Sequence, residues 1–345
     1  MKLLYLTDTH WRGTTPQGRL DDLPQTLLAK LREALDLARS CGATAILHGG
    51  DLFDRPDVAP AVALQFLRVL KEEAPCPVYA IAGNHDIFGF NPETVPRTML
   101  GVLDGAQVIR LVRPGAPVFL ETGGLTVQLT GQPFHAELDR RDPCLDYCVA
   151  PAGTPGAVHL REPRADFALH LTHGMLLERP FLDEVAHTLL AAVMDHTVAD
   201  VTFGGHYHPG WGKVHEVAGR LFINPGALVR LGNQRADWER RVCVALVELQ
   251  RGAPVRCELI PLASARAAEE VLDRSREAAQ MARERALADF IMGIDDLSRF
   301  EVLAVQEIMR EIAATKEMDG RVTAEALRRL GAAQEALAEG GEESP

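Results

Sequence analysis

The 345-residue sequence predicts an α/β fold, in which a parallel sheet with helical crossovers is followed by further strands and a helical tail. Three observations carry this reading. Short apolar runs alternate with helical repeats over the first 82 residues, giving β-α-β-α-β. Strand-like runs end abruptly in loops rich in Gly, His, Asp and Asn. After Pro261 the composition turns to Ala, Glu and Arg.

In chain order, Lys2 to Leu6 is a strand ending in Thr7-Asp8-Thr9-His10, and Gly13 to Gly18 is a polar loop. From Leu23 to Ala38, Leu27, Leu28, Leu31, Leu35 and Ala38 recur at helical spacing until Cys41-Gly42 stops the helix. Thr44 to Leu47 reads as a buried strand, and Gly49-Gly50 then forces a tight turn into Asp51. Val62 to Leu70 is a second helix; Pro77 to Ala82 is a third strand, ending in Gly83-Asn84-His85-Asp86. Residues 106–130 carry short strands, and Glu137 to Pro163 is an irregular stretch expected as a long surface excursion. Phe167–Leu171 leads to Thr172-His173-Gly174, Ala186 to Val193 is expected to be helical, and Val201–Phe203 leads to Gly204-Gly205-His206-Tyr207-His208. Val214–Val217, Leu221–Asn224, Arg241–Leu249 and Val255–Pro261 read as a run of antiparallel strands, with the Pro225-Gly226 turn among them. Three helices are expected at about 265–291, 297–318 and 323–338, the middle one carrying a Phe300, Leu303, Ile308, Ile312 stripe. The boundary divides residues 1–262, a catalytic body, from 263–345, a helical extension. Its apolar stripe suits packing on its own domain, a homodimer seam or a partner's groove.

Charge and cysteine usage narrow the classes. A net charge of −12 argues against nucleic-acid binding by bulk charge, although residues 265–345 alone hold −7 of it. Six scattered cysteines without a CxxC pair fit buried thiols in a reducing compartment. No basic leader or membrane-length apolar run is present, so a cytoplasmic protein is expected.

The five strand-end segments bring Asp, His and Asn to what would be one edge. In an extended stretch residues two apart point the same way, so Asp8 with His10, and His206 with His208, would each reach one site. Oxygen and imidazole donors without cysteine suit manganese, iron or zinc in expanded coordination. Seven donors exceed one ion and suit two sharing a carboxylate, an arrangement that serves phosphoester hydrolysis. Any one segment alone reads better as a turn or a solvated strand end. Their joint order does not.

These residues resemble the signature of the calcineurin-like metallophosphoesterase superfamily, with D-x-H, G-D-x-x-D, G-N-H-D, a lone His-Gly and G-H-x-H, over residues 1 to about 262. The resemblance implies a four-layer α/β/β/α sandwich. It implies Asp8, His10, Asp51 and His208 on one metal and Asp51, Asn84, His173 and His206 on the second, most consistent with two manganese ions. His85 would be the acid that protonates the leaving oxygen, and the Asp54 carboxylate would orient it. The Gly-Asp-Leu-Phe and Thr-Asp-Thr-His wording is similar to the DNA-repair exonuclease branch, the SbcD-type nuclease subunits, which pair with an SMC-like ATPase of the SbcC type. Two features depart from that branch. Asp54 stands where it often has His, and plain helices follow Pro261 where it has an α/β capping domain.

The expected function is therefore metal-dependent phosphodiester hydrolysis on DNA, as an exonuclease or a single-strand endonuclease. A phosphodiesterase of nucleotides or small phosphoesters is the alternative, favoured by the acidic charge. A catalytically silent scaffold is a third, disfavoured by the intact donor set. Arg12, Arg19, Arg55 and Arg230 lie near motif loops and are candidates to grip phosphates. His135 is a candidate substrate contact and otherwise a loop histidine, and His48 either supports the site or simply packs beside it. His159, His170, His187, His196 and His215 are read as structural or exposed.

Overall fold

The structure, a computed structural model, describes residues 1–153, 158–161, 164–182, 184–231, 235–273, 325, 328 and 329. Its elements are β1 (Lys2–Leu6), α1 (Leu23–Cys41), β2 (Ala45–His48), α2 (Pro60–Glu73), β3 (Val78–Ala80), α3 (Met99–Gly105), β4 (Arg110–Leu111), β5 (Val118–Thr122) and β6 (Leu125–Gln132). They continue as α4 (Cys144–Tyr147), β7 (Phe167–Thr172), β8 (Leu176–Leu177), β9 (Thr188–Leu189), β10 (Val201–Gly204), β11 (His215–Val217), β12 (Arg220–Ile223), α5 (Arg235–Glu239), β13 (Cys243–Glu248), β14 (Arg256–Pro261) and α6 (Ala268–Val271). The three helices expected beyond residue 264 lie almost wholly outside the described residues. Within that stretch the structure gives α6 and the Glu325 ion pairs with Arg328 and Arg329.

Two six-stranded sheets form, in the orders β14-β13-β1-β2-β3-β4 and β11-β12-β10-β7-β6-β5. The β1–β2–β3–β4 and β6–β7–β10–β12 ladders are parallel, as crossovers demand. Alternation along β1 decides the layers: Leu3 and Tyr5 enter the core between the sheets, while Leu4 and Leu6 meet α1 and α2 through Leu27, Leu31 and Phe66. The outer face of the second sheet is covered by Leu138, Tyr147, Leu176, Val193 and Trp211. This gives the layered α/β sandwich expected, with its outermost layer built mainly from loops and the single turn α4.

Helix α1 starts where the Asp22 carboxylate accepts from Gln25 N and stops where Gly42 turns left-handed at φ 68°. Three expectations are corrected. Ala186–Val193 contains β9 and a short 3-10 turn, Leu190–Ala192, because Thr188 pairs in parallel with Leu176. The excursion after Glu137 is not wholly superficial, since Leu138, Asp146, Tyr147, Cys148 and Val149 are buried under the second sheet. The late strands are not one antiparallel run. β12 pairs with β10 in parallel in one sheet and β13 with β1 in the other, so the chain changes sheets across Asn224–Arg230.

Candidate metal centre

All five motif loops leave the carboxyl ends of parallel strands, after β1, β2, β3, β7 and β10, where an α/β sheet offers unpaired backbone and room for chemistry. The two sheets meet closely at this end. Tyr5 in the first donates its hydroxyl to the Gly204 carbonyl in the second at 2.8 Å. Side chains at two turns would block the approach: a Cβ on Gly83 would stand 2.0 Å from Asp51 Oδ1, and one on Gly50, which has φ 102°, 2.4 Å from His173 Nδ1.

The ligand atoms of Asp8, His10, Asp51 and His208 lie within 4.8 Å of one another, as do those of Asp51, His173 and His206. Asp51 belongs to both groups. Asn84 joins the second, its Oδ1 3.3 Å from His173 Nε2. The grouping matches the residue sets expected, but the local geometry does not. Asp8, His10, Asp51 and His206 have φ of 52°, 43°, 52° and 69°, so these stretches are not extended. His206 and His208 consequently reach different groups. Left-handed backbone at four non-glycine ligand residues is strain of the sort that collects at functional sites.

The carboxylate and ring-nitrogen atoms of these side chains face one another at close range. His173 donates Nδ1–H to the Gly49 carbonyl at 2.7 Å, which turns its Nε2 to Asp51 Oδ2 at 3.3 Å. His10 Nε2 lies 2.9 Å from His208 Nε2 and 3.6 Å from Asp51 Oδ2. Asp51 Oδ2 is buried without a hydrogen-bond donor. Buried lone pairs aimed at a shared space are costly unless positive charge enters it. An all-oxygen-and-imidazole set of this kind fits a pair of divalent cations. In the absence of a cation, a proton on His173 answers part of the Asp51 charge. Burial works against a charged His173, yet the Asp51 carboxylate holds its pKa up at about 9. His10, buried and beside other imidazoles, is pushed down to about 3, and His206, buried beside His173, to about 4. Asp51 stays ionised against burial because His173 and His10 offset it.

His85 stands beside this cage, its ring 4.7 Å from that of His10 and edge-on. Its backbone N–H donates to Asp51 Oδ1 at 2.8 Å. The expected orienting contact is corrected: His85 Nδ1 bonds the Asp54 main-chain carbonyl at 2.7 Å, while the Asp54 carboxylate accepts from Arg12 Nη1 at 2.9 Å. Arg12 thus lies next to the site, partly spent on Asp54.

Four other expectations are not met at the centre. Arg230 is buried and donates to the carbonyls of Asp237, Arg266 and Arg240, because it braces the chain where it crosses between sheets. Arg55 is exposed and pairs with Asp57. Arg19 is held by Asp21 and by the Arg230 carbonyl. His135 bonds buried Asp146 through Nε2 and accepts from Glu137 N at Nδ1, leaving neither nitrogen for substrate. His48 packs: Nδ1 accepts from Gly50 N and Nε2 meets the Thr9 hydroxyl.

Sequence reasoning gave no role to Asp86 or Thr7. The buried Asp86 carboxylate accepts from Leu52, Phe53 and Gly83 N–H at 3.0–3.2 Å, pinning the Asp51 loop to the Asn84 loop. Burial, with Asp51 nearby, pushes its pKa up to about 7. Thr7 donates its hydroxyl to Asp8 Oδ2 at 2.6 Å. Their one signal was adjacency to a motif acid or histidine.

A family model of the calcineurin-like phosphoesterases matches residues 1–210. An 88-residue stretch, 25% of this chain and 22% of the relative, is 36% identical to the DNA double-strand break repair protein Mre11 of Sulfurisphaera tokodaii. The match thus spans about a fifth of that relative's length. Among solved structures, TT1561 of Thermus thermophilus is 14% identical with a TM-score of 0.43, over 75% of this chain and 98% of that one. The sulfate thiohydrolase SoxB of Thermus thermophilus is 15% identical with a TM-score of 0.44, over 84% and 61%. No helix among the described residues is long and apolar enough to cross a membrane. The family match covers β1 through the last of the five donor loops, and this chain belongs to the calcineurin-like phosphoesterases, a family of metal-dependent hydrolases.

Proposed function

We propose that the chain is a two-metal phosphodiesterase that acts as a DNA nuclease in end processing, as an exonuclease or a single-strand endonuclease. The observation that carries the hydrolytic part is the pair of ligand groups sharing Asp51, with His85 alongside. The similarity to an Mre11 protein supports DNA as substrate.

In this reading Asp8, His10, Asp51 and His208 hold one cation and Asp51, Asn84, His173 and His206 the other, manganese being the best fit to the donors. Bound there, the cations supply Lewis acidity toward water and the nonbridging phosphate oxygens. The chain's own part is positional and protonic. Because His85 Nδ1 is committed to the Asp54 carbonyl, Nε2 is the atom that carries the proton for the departing alcohol oxygen. Arg12, beside Asp54, is placed to meet a phosphate. Residues 263–273 pack on the body, where Ala263 and Ser264 N–H donate to Glu33, and the rest of the extension would pack there too or serve a second copy or an SMC-like ATPase.

A second reading, a phosphodiesterase of small esters, is favoured by the net charge of −12, which gives a polyanion little electrostatic attraction. One experiment separates them: the protein is incubated with manganese, a chromogenic phosphodiester, and labelled single- and double-stranded DNA. DNA cleavage that vanishes in His85→Ala supports the nuclease. Cleavage of the small ester alone supports the second reading, and no turnover with any divalent metal sinks both.

A further inference from the structure

Two aromatic rings stand in file outward from the metal centre. The Phe134 ring lies 5.7 Å from that of His206, and the Phe90 ring 5.4 Å from that of Phe134. Phe134 follows β6 and also packs on the helix-side and outer apolar clusters. Phe90 belongs to none of the apolar clusters of the described residues. It is half-buried and sits at φ 54°, a backbone region that bulky side chains rarely adopt. The strained turn, five residues beyond His85, therefore carries the ring over Phe134. At the same end an apolar cleft of about 460 Å³ opens between Pro92, Val95, Leu111 and Pro133, with Glu93 and Arg113 also on its walls. Pro92 lies two residues from Phe90 in sequence and Pro133 directly precedes Phe134, so the segments that carry the two rings also border the cleft.

We propose that Phe90 and Phe134 form a stacking subsite for a nucleobase of the nucleotide joined to the scissile phosphate. The inference rests on the phosphodiesterase reading and names what that site would select. Ring faces offer no hydrogen-bond pattern, so the subsite accepts any base through its π-face. The chain's acidity makes this contact matter more: with a net charge of −12, affinity for the sugar-phosphate backbone is weak and stacking has to contribute.

The test uses the full chain with manganese and two esters sharing a p-nitrophenol leaving group, methyl p-nitrophenyl phosphate and thymidine 5′-(p-nitrophenyl) phosphate. The wild type is expected to prefer the thymidine ester in kcat/KM. Phe90→Leu and Phe134→Leu each lower that preference roughly tenfold, mainly through KM, and Phe134→Tyr retains it. An unchanged preference in both leucine variants, or equal losses on the two esters, overturns the subsite. If the wild type cleaves neither ester, the phosphodiesterase reading fails by itself. Calorimetric binding of oligothymidylate then still decides the subsite: weaker binding by Phe134→Leu supports it, and equal binding overturns it.

Discussion

Two buried polar regions adjoin the Asp8 loop, and they are matched in opposite ways. On one side, Asp51, His10, His173 and His208 crowd carboxylate and ring-nitrogen atoms into a common space, where Asp51 Oδ2 and His10 Nδ1 lack a well-aligned hydrogen-bond partner. On the other, the crossing segment Ala227–Arg230 has every carbonyl met by a cation. Arg240 donates to Ala227 and Val229, Lys30 to Leu228 and Arg19 to Arg230. The segment's own N–H groups reach His208, Thr7 and Asp8, so it ties two donor loops together. A closed set of donors and acceptors is architecture; a surplus of one kind is an opening for a ligand. By that rule Arg230 belongs to the frame and Asp51 to the site, although both are charged, buried and close to the same loop.

The largest effect expected is at the open side. Asp51→Asn withdraws the carboxylate shared by both groups, and manganese-dependent phosphodiester hydrolysis should drop by about three orders of magnitude or more. The manganese-induced rise in melting temperature should disappear with it. A variant that kept both would break the contrast.

At the closed side, Arg230→Met leaves the buried Asp237 carbonyl and the part-buried carbonyls of Arg240 and Arg266 without their donor and should cost about 1–3 kcal/mol of stability. Denaturant unfolding measures the loss. Manganese should still stabilise this variant as it does the wild type, by about 2.7 kcal/mol at a hundred times its dissociation constant. A variant of undiminished stability, or one deaf to manganese, would show that frame and site are not separable.

The two regions should also answer pH differently. His173, held at about 9 by Asp51, must lose its proton before a metal can take its Nε2. Manganese affinity should therefore fall as pH drops below about 9, by up to roughly tenfold per unit for this one proton. His10 and His206, at about 3 and 4, are already neutral there and add nothing. In the frame, burial and the nearby Arg240 push Lys30 down to about 7. Folded protein then binds this proton less readily than unfolded chain does, so Lys30 contributes a rise in stability between pH 7 and about 10.5. Metal titrations at pH 6.5, 7.5 and 8.5 check the first trend. The second is checked by unfolding curves of wild type and Lys30→Met, which should lack the rise.

The smallest effect belongs to Asp54. Since its backbone carbonyl holds His85, Asp54→Asn should reduce kcat by less than about tenfold and leave the pH profile in place. A loss of several hundredfold would restore the carboxylate as the orienting group.

Much of this was legible in the residues. Period-two apolar runs and helical repeats placed β1, α1, β2, α2 and β3, and each donor loop was marked by Gly, His, Asp or Asn directly after a strand. Ala186–Val193 misled because Ala and Leu, good helix formers, dominate it, and its partner strand β8 is only two residues long. Arg230 and His135 misled because proximity to a motif says nothing about which way a long or planar side chain is held. Asp86 passed without a role because its partners are backbone N–H groups, which leave no mark on residue type.

Residue order by itself determined the layered α/β class, the seven candidate ligand residues and the resemblance to the family, because hydrophobic period and ligand chemistry are written in side-chain identity. Tertiary structure alone decided that a main-chain carbonyl steadies His85, that the Asp54 carboxylate goes to Arg12, and that Lys30, Arg19, Arg230 and Arg240 serve the frame. Those outcomes depend on left-handed turns at Asp8, His10, Asp51 and His206 and on two sheets closing at one end. Both come from contacts between segments up to about two hundred residues apart, which no local pattern encodes.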